Sequence, residues 1–242
     1  ITKRQKLLDE QGNVANAGWC RRNLYDYNIE NRSVNIMRLK EWDFYQICNG
    51  EMMVQINIFN ISLATCATFG FVDLKTGRKF DTMALELITP HKNRLNRNGD
   101  GENHFSYNCG KTTAEFNVTE TCHHIKFIGV CKGKKIVAEF FCSRLPHHES
   151  ITIAVPFKKT GHFFYTNKIN CLNTYGTVKY GDEIFEFSKE NTFTVLDWGR
   201  GIWQTEALLF MISPLGLSLL GASVTLKRQR KQRCFMTVSA IK

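Results

Sequence analysis

The run Asp197-Trp198-Gly199-Arg200-Gly201-Ile202-Trp203 places a carboxylate, a guanidinium, two indoles and two glycines within seven residues. Thr192-Phe193-Thr194-Val195-Leu196 before it alternates like a strand, and a period of two puts Asp197 on the face of Phe193 and Val195. That face reads as apolar, so the carboxylate is expected to be buried and to need a partner. Arg200, across a turn flanked by Gly199 and Gly201, supplies a bidentate one, the glycines letting the backbone fold back sharply. Such a pair is more often architecture, locking a strand end under two tryptophans, than catalysis. Facing a cavity, it becomes an acid or base, Asp197, whose pKa Arg200 sets.

Cys122-His123-His124 and Cys142, His147, His148 and Glu149 form the other constellations. Their spacings do not match a structural zinc site, and adjacent histidines on a strand point to opposite faces, so no metal is expected. Phosphate loops, nucleophile elbows and dinucleotide fingerprints are missing, and Ser, His and Asp occur without the local context of a triad. No cofactor is expected.

The elements that position these residues are strands. Ile36 to Cys48, Met52 to Ile61, Leu63 to Leu74 and Phe80 to Ile88 are rich in Phe, Ile, Val and Thr, and Lys75-Thr76-Gly77-Arg78 joins the last two as a hairpin loop. Residues 90–102 are polar, with Asn-Arg-Asn-Gly-Asp-Gly at their centre, and read as an exposed loop. Strands resume at 104–108, 114–119, 125–131, 136–145, 151–156 and 163–167, then at 176–180 and 183–187 around Gly181-Asp182. About ten to twelve short strands without an amphipathic helix mean an antiparallel all-β barrel or sandwich. Residues 1–33 read as an irregular arm held by Trp19 and Tyr25, and 34–203 as the β domain.

The chain has 242 residues, a net charge of +10 and nine cysteines. Half of the charge lies in residues 204–242, which hold six basic residues and one acidic. The cysteine number is odd, most sit in apolar runs, and the charged N-terminus has no apolar leader, which together predict reduced thiols and a cytoplasmic protein. The sequons at Asn31, Asn60 and Asn117 are then chance matches.

Phe163 to Cys171, Gly176 to Gly181 and Phe193 to Trp203, together with Leu8 to Asn13, Gly18-Trp19 and Lys40-Glu41-Trp42-Asp43, resemble the uncharacterised bacterial family DUF2804 over about residues 5–203. That family looks like a distant relative of lipocalin-like proteins that include hydroxyneurosporene synthase, built from two β-barrel-like halves. The resemblance implies a barrel with an interior cleft and an apolar or amphipathic small molecule in it. The candidate contacts are Trp198, Trp203, Lys179, Tyr180 and Asn170. A rival reading is an enzyme that hydrates or isomerises a double bond in such a ligand through Asp197 and Arg200.

Beyond Trp203 the chain departs from the family pattern. Ala207 to Leu226 is uncharged and is followed by Lys-Arg-Gln-Arg-Lys-Gln-Arg, a spanning-length segment with positive charges on one side. Ser, Pro and Gly interrupt it, and codons can be chosen for 221–242 that in another frame give segments like the family's second half. Residues from about 204 are therefore expected to be a frameshifted remnant, not a native domain. A membrane partner follows only if 207–226 is genuine. No nucleic-acid partner is expected once the basic tail is set aside.

Overall fold

A computed structural model describes residues 1–203 except 90, 91, 93, 100 and 146. The segment 207–226 and the basic run after it lie outside the described residues. The arm contributes β1 (Gln5–Lys6), β2 (Gly18–Cys20) and β3 (Tyr25–Asp26), with 3-10 turns at Ile29–Asn31 and Ile36–Arg38. A meander follows: β4 (Leu39–Cys48), β5 (Met52–Asn60), β6 (Ala64–Asp73) and β7 (Lys79–Leu87). Then come β8 (Asn103–Cys109), β9 (Thr112–Val118), β10 (Cys122–Cys131), β11 (Lys134–Ser143) and β12 (Ile151–Pro156). β13 (Phe163–Tyr180), β14 (Glu183–Phe187) and β15 (Phe193–Ile202) complete the described strands.

β4 to β15 form one antiparallel sheet in the order β7-β6-β5-β4-β15-β13-β11-β10-β9-β8, with β12 and β14 also paired to β13 and β2 to β12, while β1 and β3 pair in parallel apart from it. The path curls until its ends meet: Thr82 of β7 donates to the Val130 carbonyl of β10 at 2.9 Å, and the Cys109 thiol of β8 reaches the Leu85 carbonyl of β7 at 3.7 Å. The result is the all-β, antiparallel, barrel-like fold expected from the period-two runs. On β5 Val54, Ile56 and Ile58 point inward and are buried, while Gln55 and Asn57 alternate with them. Phe69, Phe71, Phe80, Phe127 and Tyr180 fill one end of the interior, with Phe80 stacked on Tyr180 at 4.1 Å between centroids. No described helix is long and apolar enough to cross a membrane. The eight described cysteines are free thiols.

Three local expectations are corrected. The segments 163–167 and 176–180 belong to one strand, because a bulge between Ile169 and Leu172 shifts the register and inverts the inward parity from odd to even positions. Cys171 takes φ 57° there, so the alternation breaks in the sequence where the strand continues. The 197–203 run is not a turn. β15 passes straight through it, pairing with β4 and β13 to Ile202. Residues 90–102 are not simply exposed either: Leu95 is buried, and Arg94 to Gly99 fold down on the end of the barrel.

Candidate functional site

β15 and β4 build the site because their register sets Arg200 opposite Glu41 and Trp198 opposite Asp43. Even positions of β15 and odd positions of β4 face the interior, so Trp198, Arg200, Glu41 and Asp43 share one buried surface. Asp197 is on the other face with Phe193 and Val195, and Phe193 is 47 % exposed. The period of two was right and the assignment of the faces was inverted.

Arg200 is fully buried, and all five of its N–H groups are bonded. Nε and NH2 donate to the Asn96 carbonyl at 3.1 and 2.8 Å, NH2 also to Asn96 Oδ1 at 2.7 Å, and NH1 to the carbonyls of Trp42 and Gly199 at 2.7 and 2.8 Å. NH1 lies 2.8 Å from Asp43 Oδ1 as an ion pair, without the alignment of a hydrogen bond. The guanidinium stacks 4.1 Å over the Trp198 ring, whose Nε1 donates to Asn96 Oδ1 at 2.7 Å. Asn96 Nδ2 closes the network on Asp43 Oδ2 at 3.3 Å. The polar loop is thus clamped to the barrel through Asn96. Burial raises the Asp43 carboxyl above its ordinary range, and Arg200 opposes this.

Asp197 has different partners. Its carboxylate is ion-paired to Lys168, the cross-strand residue on β13, and accepts from Trp42 Nε1 at 3.3 Å. The expected Asp197–Arg200 pair does not form, since residues three apart on a strand point to opposite sides. The glycines also have another role. Trp42 sits across from Gly199, and a Cβ there would overlap the six-membered ring of the Trp42 indole. Trp42, Phe164 and Trp203 pack together on this outer face, with centroids 5.5–6.1 Å apart. Gly199→Ala is accordingly expected to lower stability by about 1–3 kcal/mol, because an indole within a packed aromatic cluster must move. A urea midpoint within error of the wild type would show that Trp42 yields freely.

Beside the clamp, a cleft of about 210 Å³ opens between the arm, the start of β4 and the loop. Ile29, Ile36, Leu39 and Leu95 give it apolar walls; Tyr27, Glu30, Arg32, Glu41, Arg94 and Arg97 complete it. Glu41 accepts from Arg94 at 3.2 Å and from the Leu95 amide at 3.4 Å, and burial raises its carboxyl against the pull of Arg200 and Arg94. Tyr27 stacks on Tyr165 at 5.8 Å and meets Trp198 edge-on at 6.3 Å. Its hydroxyl is buried with no hydrogen-bond partner among the described residues. Burial and then the Glu41 charge push the phenol well above its ordinary pKa, so it stays protonated.

The remaining candidates are dispersed. Trp198 is the wall between clamp and Tyr27, and Trp203 belongs to the outer aromatic cluster. Tyr180 is core packing on Phe80, Lys179 is exposed, and Asn170 adjoins the bulge in β13. Asp197, Arg200, Trp198, Trp203, Lys179, Tyr180 and Asn170 are all absent from the lining of this cleft. Sequence reasoning missed Glu41, Asp43, Asn96 and Tyr27. A signal was available for two of them: Glu41 and Asp43, two apart on a strand, share a face.

The histidines separate as adjacent strand residues must. His123 faces inward, its Nδ1 3.0 Å from the Tyr45 hydroxyl, and His124 lies on the other face with Nε2 2.8 Å from Glu139. Among the described residues no three His, Cys, Asp or Glu side chains converge in a metal-binding group.

The model of the domain of unknown function DUF2804 matches residues 1–216. The chain belongs to the DUF2804 family. The match runs past Trp203, where the resemblance read from sequence ended. A comparison with curated proteins gives no match. Among solved structures the chain is similar to CghA, crystallised with Sch210972, at 14% identity and a TM-score of 0.47, over 67% of this chain and 45% of that one. It is also similar to kievitone hydratase from Nectria haematococca, at 11% identity and a TM-score of 0.37, over 67% of this chain and 47% of that one. The chain therefore spans less than half the length of either.

Proposed function

We propose that this DUF2804 protein binds a small apolar or amphipathic molecule in the cleft between the arm and the 94–97 loop. One observation carries the reading: a concavity walled by Ile29, Ile36, Leu39 and Leu95 has a buried, unpartnered Tyr27 hydroxyl among its lining residues. Apolar walls with a few convergent polar groups are the usual composition of a ligand site. An unsatisfied buried hydroxyl costs about 1–3 kcal/mol, which a bound oxygen or nitrogen atom would recover. The volume is below the range of drug-sized ligands, so the molecule is small.

Octan-1-ol is a suitable probe, with an apolar body and one hydroxyl to meet Tyr27. Calorimetric titration should give saturable one-site binding, and Ile36→Trp, which fills the cleft from its rim, should abolish it. Undiminished binding in that variant would place the alcohol elsewhere.

One observation favours a second reading, an enzyme that moves a proton on the bound molecule. Glu41 lines the cleft, and burial holds its carboxyl above the ordinary range, as a general acid requires. In that reading Glu41 takes the role first given to Asp197.

A further inference from the structure

The charges around the cleft are unequal in number and in engagement. Its lining holds three arginines, Arg32, Arg94 and Arg97, against two acids, Glu30 and Glu41. Arg97 grips both oxygens of Glu30, and Arg94 is taken by Glu41 and by the Ser62 hydroxyl. Arg32 has one bond, from NH1 to the Ile29 carbonyl at 3.3 Å, and no ion pair with a carboxylate among the described residues. It belongs to the 29–36 segment that also supplies the apolar residues Ile29 and Ile36. The cleft thus combines four aliphatic side chains with one cation whose guanidinium fork is largely unused.

Building on the binding reading above, we propose that the ligand is an amphipathic carboxylate, its head on Arg32 and its apolar body against Ile29, Ile36, Leu39 and Leu95. A planar guanidinium matches a carboxylate with two parallel hydrogen bonds, which an alcohol cannot accept in the same way. Glu30 does not cancel the attraction, because both of its oxygens are held by Arg97. Glu41 is ion-paired to Arg94 at 3.2 Å, which offsets its repulsion of an incoming anion. At interior packing density the cleft takes roughly ten non-hydrogen atoms, the size of octanoate.

The test compares octanoate with octan-1-ol by calorimetry at pH 7.5 and low salt, on the wild type, Arg32→Gln and Arg32→Lys. Octanoate is expected to bind about ten-fold more tightly than the alcohol, the effect of one charge-assisted contact. Arg32→Gln should erase that advantage and bring the two probes to the same affinity, with a wild-type far-UV circular dichroism spectrum reporting that the variant is folded. Arg32→Lys should keep part of it, as a point charge without the fork, and added salt should shrink it in the wild type. Equal affinities for the two probes in the wild type, or an advantage that survives Arg32→Gln, would overturn the carboxylate inference while the binding reading stands. Failure of octan-1-ol itself to bind would remove the binding reading, and the inference with it.

Discussion

Arg200→Ala is expected to destabilise the protein by about 3–5 kcal/mol, the cost of leaving buried charge without its partner. The removed guanidinium faces Asp43 and is the leading charge opposing the rise of the buried Glu41 and Asp43 carboxyls, and three of its five hydrogen bonds hold the loop through Asn96. Asp43→Asn should be costly for the complementary reason. The double variant should cost less than the sum of the two, because the second change abandons a partner already unpaired. Asp197→Asn is a different case. Its ion pair with Lys168 is partly solvated, each side chain being 22% exposed, and its loss should cost about 1 kcal/mol or less. In urea melts the coupling within Arg200–Asp43 and within Asp197–Lys168 should each exceed that between Asp197 and Arg200. A dominant Asp197–Arg200 coupling would mean that the strand faces are assigned wrongly.

Lowering the pH from 7 to 4 should remove about 3 kcal/mol through His123 alone, by proton linkage. The imidazole is fully buried, its Nε2 has no partner, and burial, with Arg144 nearby, depresses its pKa to about 3. The unfolded chain takes up the proton as the pH falls through about 6.5, whereas the folded protein resists until about 3. Stability attributable to His123 is therefore level above about 6.5 and falls across the window between those values. Other titrating groups act in the same range: Glu41 and Asp43, whose folded carboxyls are raised, add stability as the pH falls. The comparison is therefore with His123→Gln, which keeps an acceptor for Tyr45 and cannot ionise. The wild type should lose stability on acidification more steeply than this variant. Parallel slopes would mean that His123 is protonated in the folded state near its ordinary pKa.

The architecture was legible because most of the strands alternate, and alternation is a local property that one face of a barrel imposes. It failed where the chain changed parity, at the bulge around Cys171, so a single long strand read as two. The site was less legible for a different reason. Strand parity alone excludes Asp197 once 197–200 is read as strand and not as a turn, but that Asp43 is the carboxylate Arg200 meets depends on the pairing of β15 with β4, two segments far apart in the chain. The glycines misled similarly: Gly199 makes room for the ring of Trp42, a cross-strand neighbour, Gly201 for the Phe163 carbonyl of the adjacent strand, and no turn is involved. The polar composition of 90–102 suggested solvent exposure, but Asn96 is polar because it satisfies a buried arginine and an indole at once. Long-range partners decide such residues, and composition does not reveal them.

The central claim is that the cleft under the arm is the ligand site. It is tested most directly by an amide-resolved NMR titration of the protein with octan-1-ol. Saturable shifts are expected at residues 27–39 and 94–97, which line or flank the cleft, with little change on the outer face around Asp197 and Trp203. Shifts centred on that outer face, or none that saturate, would contradict the account.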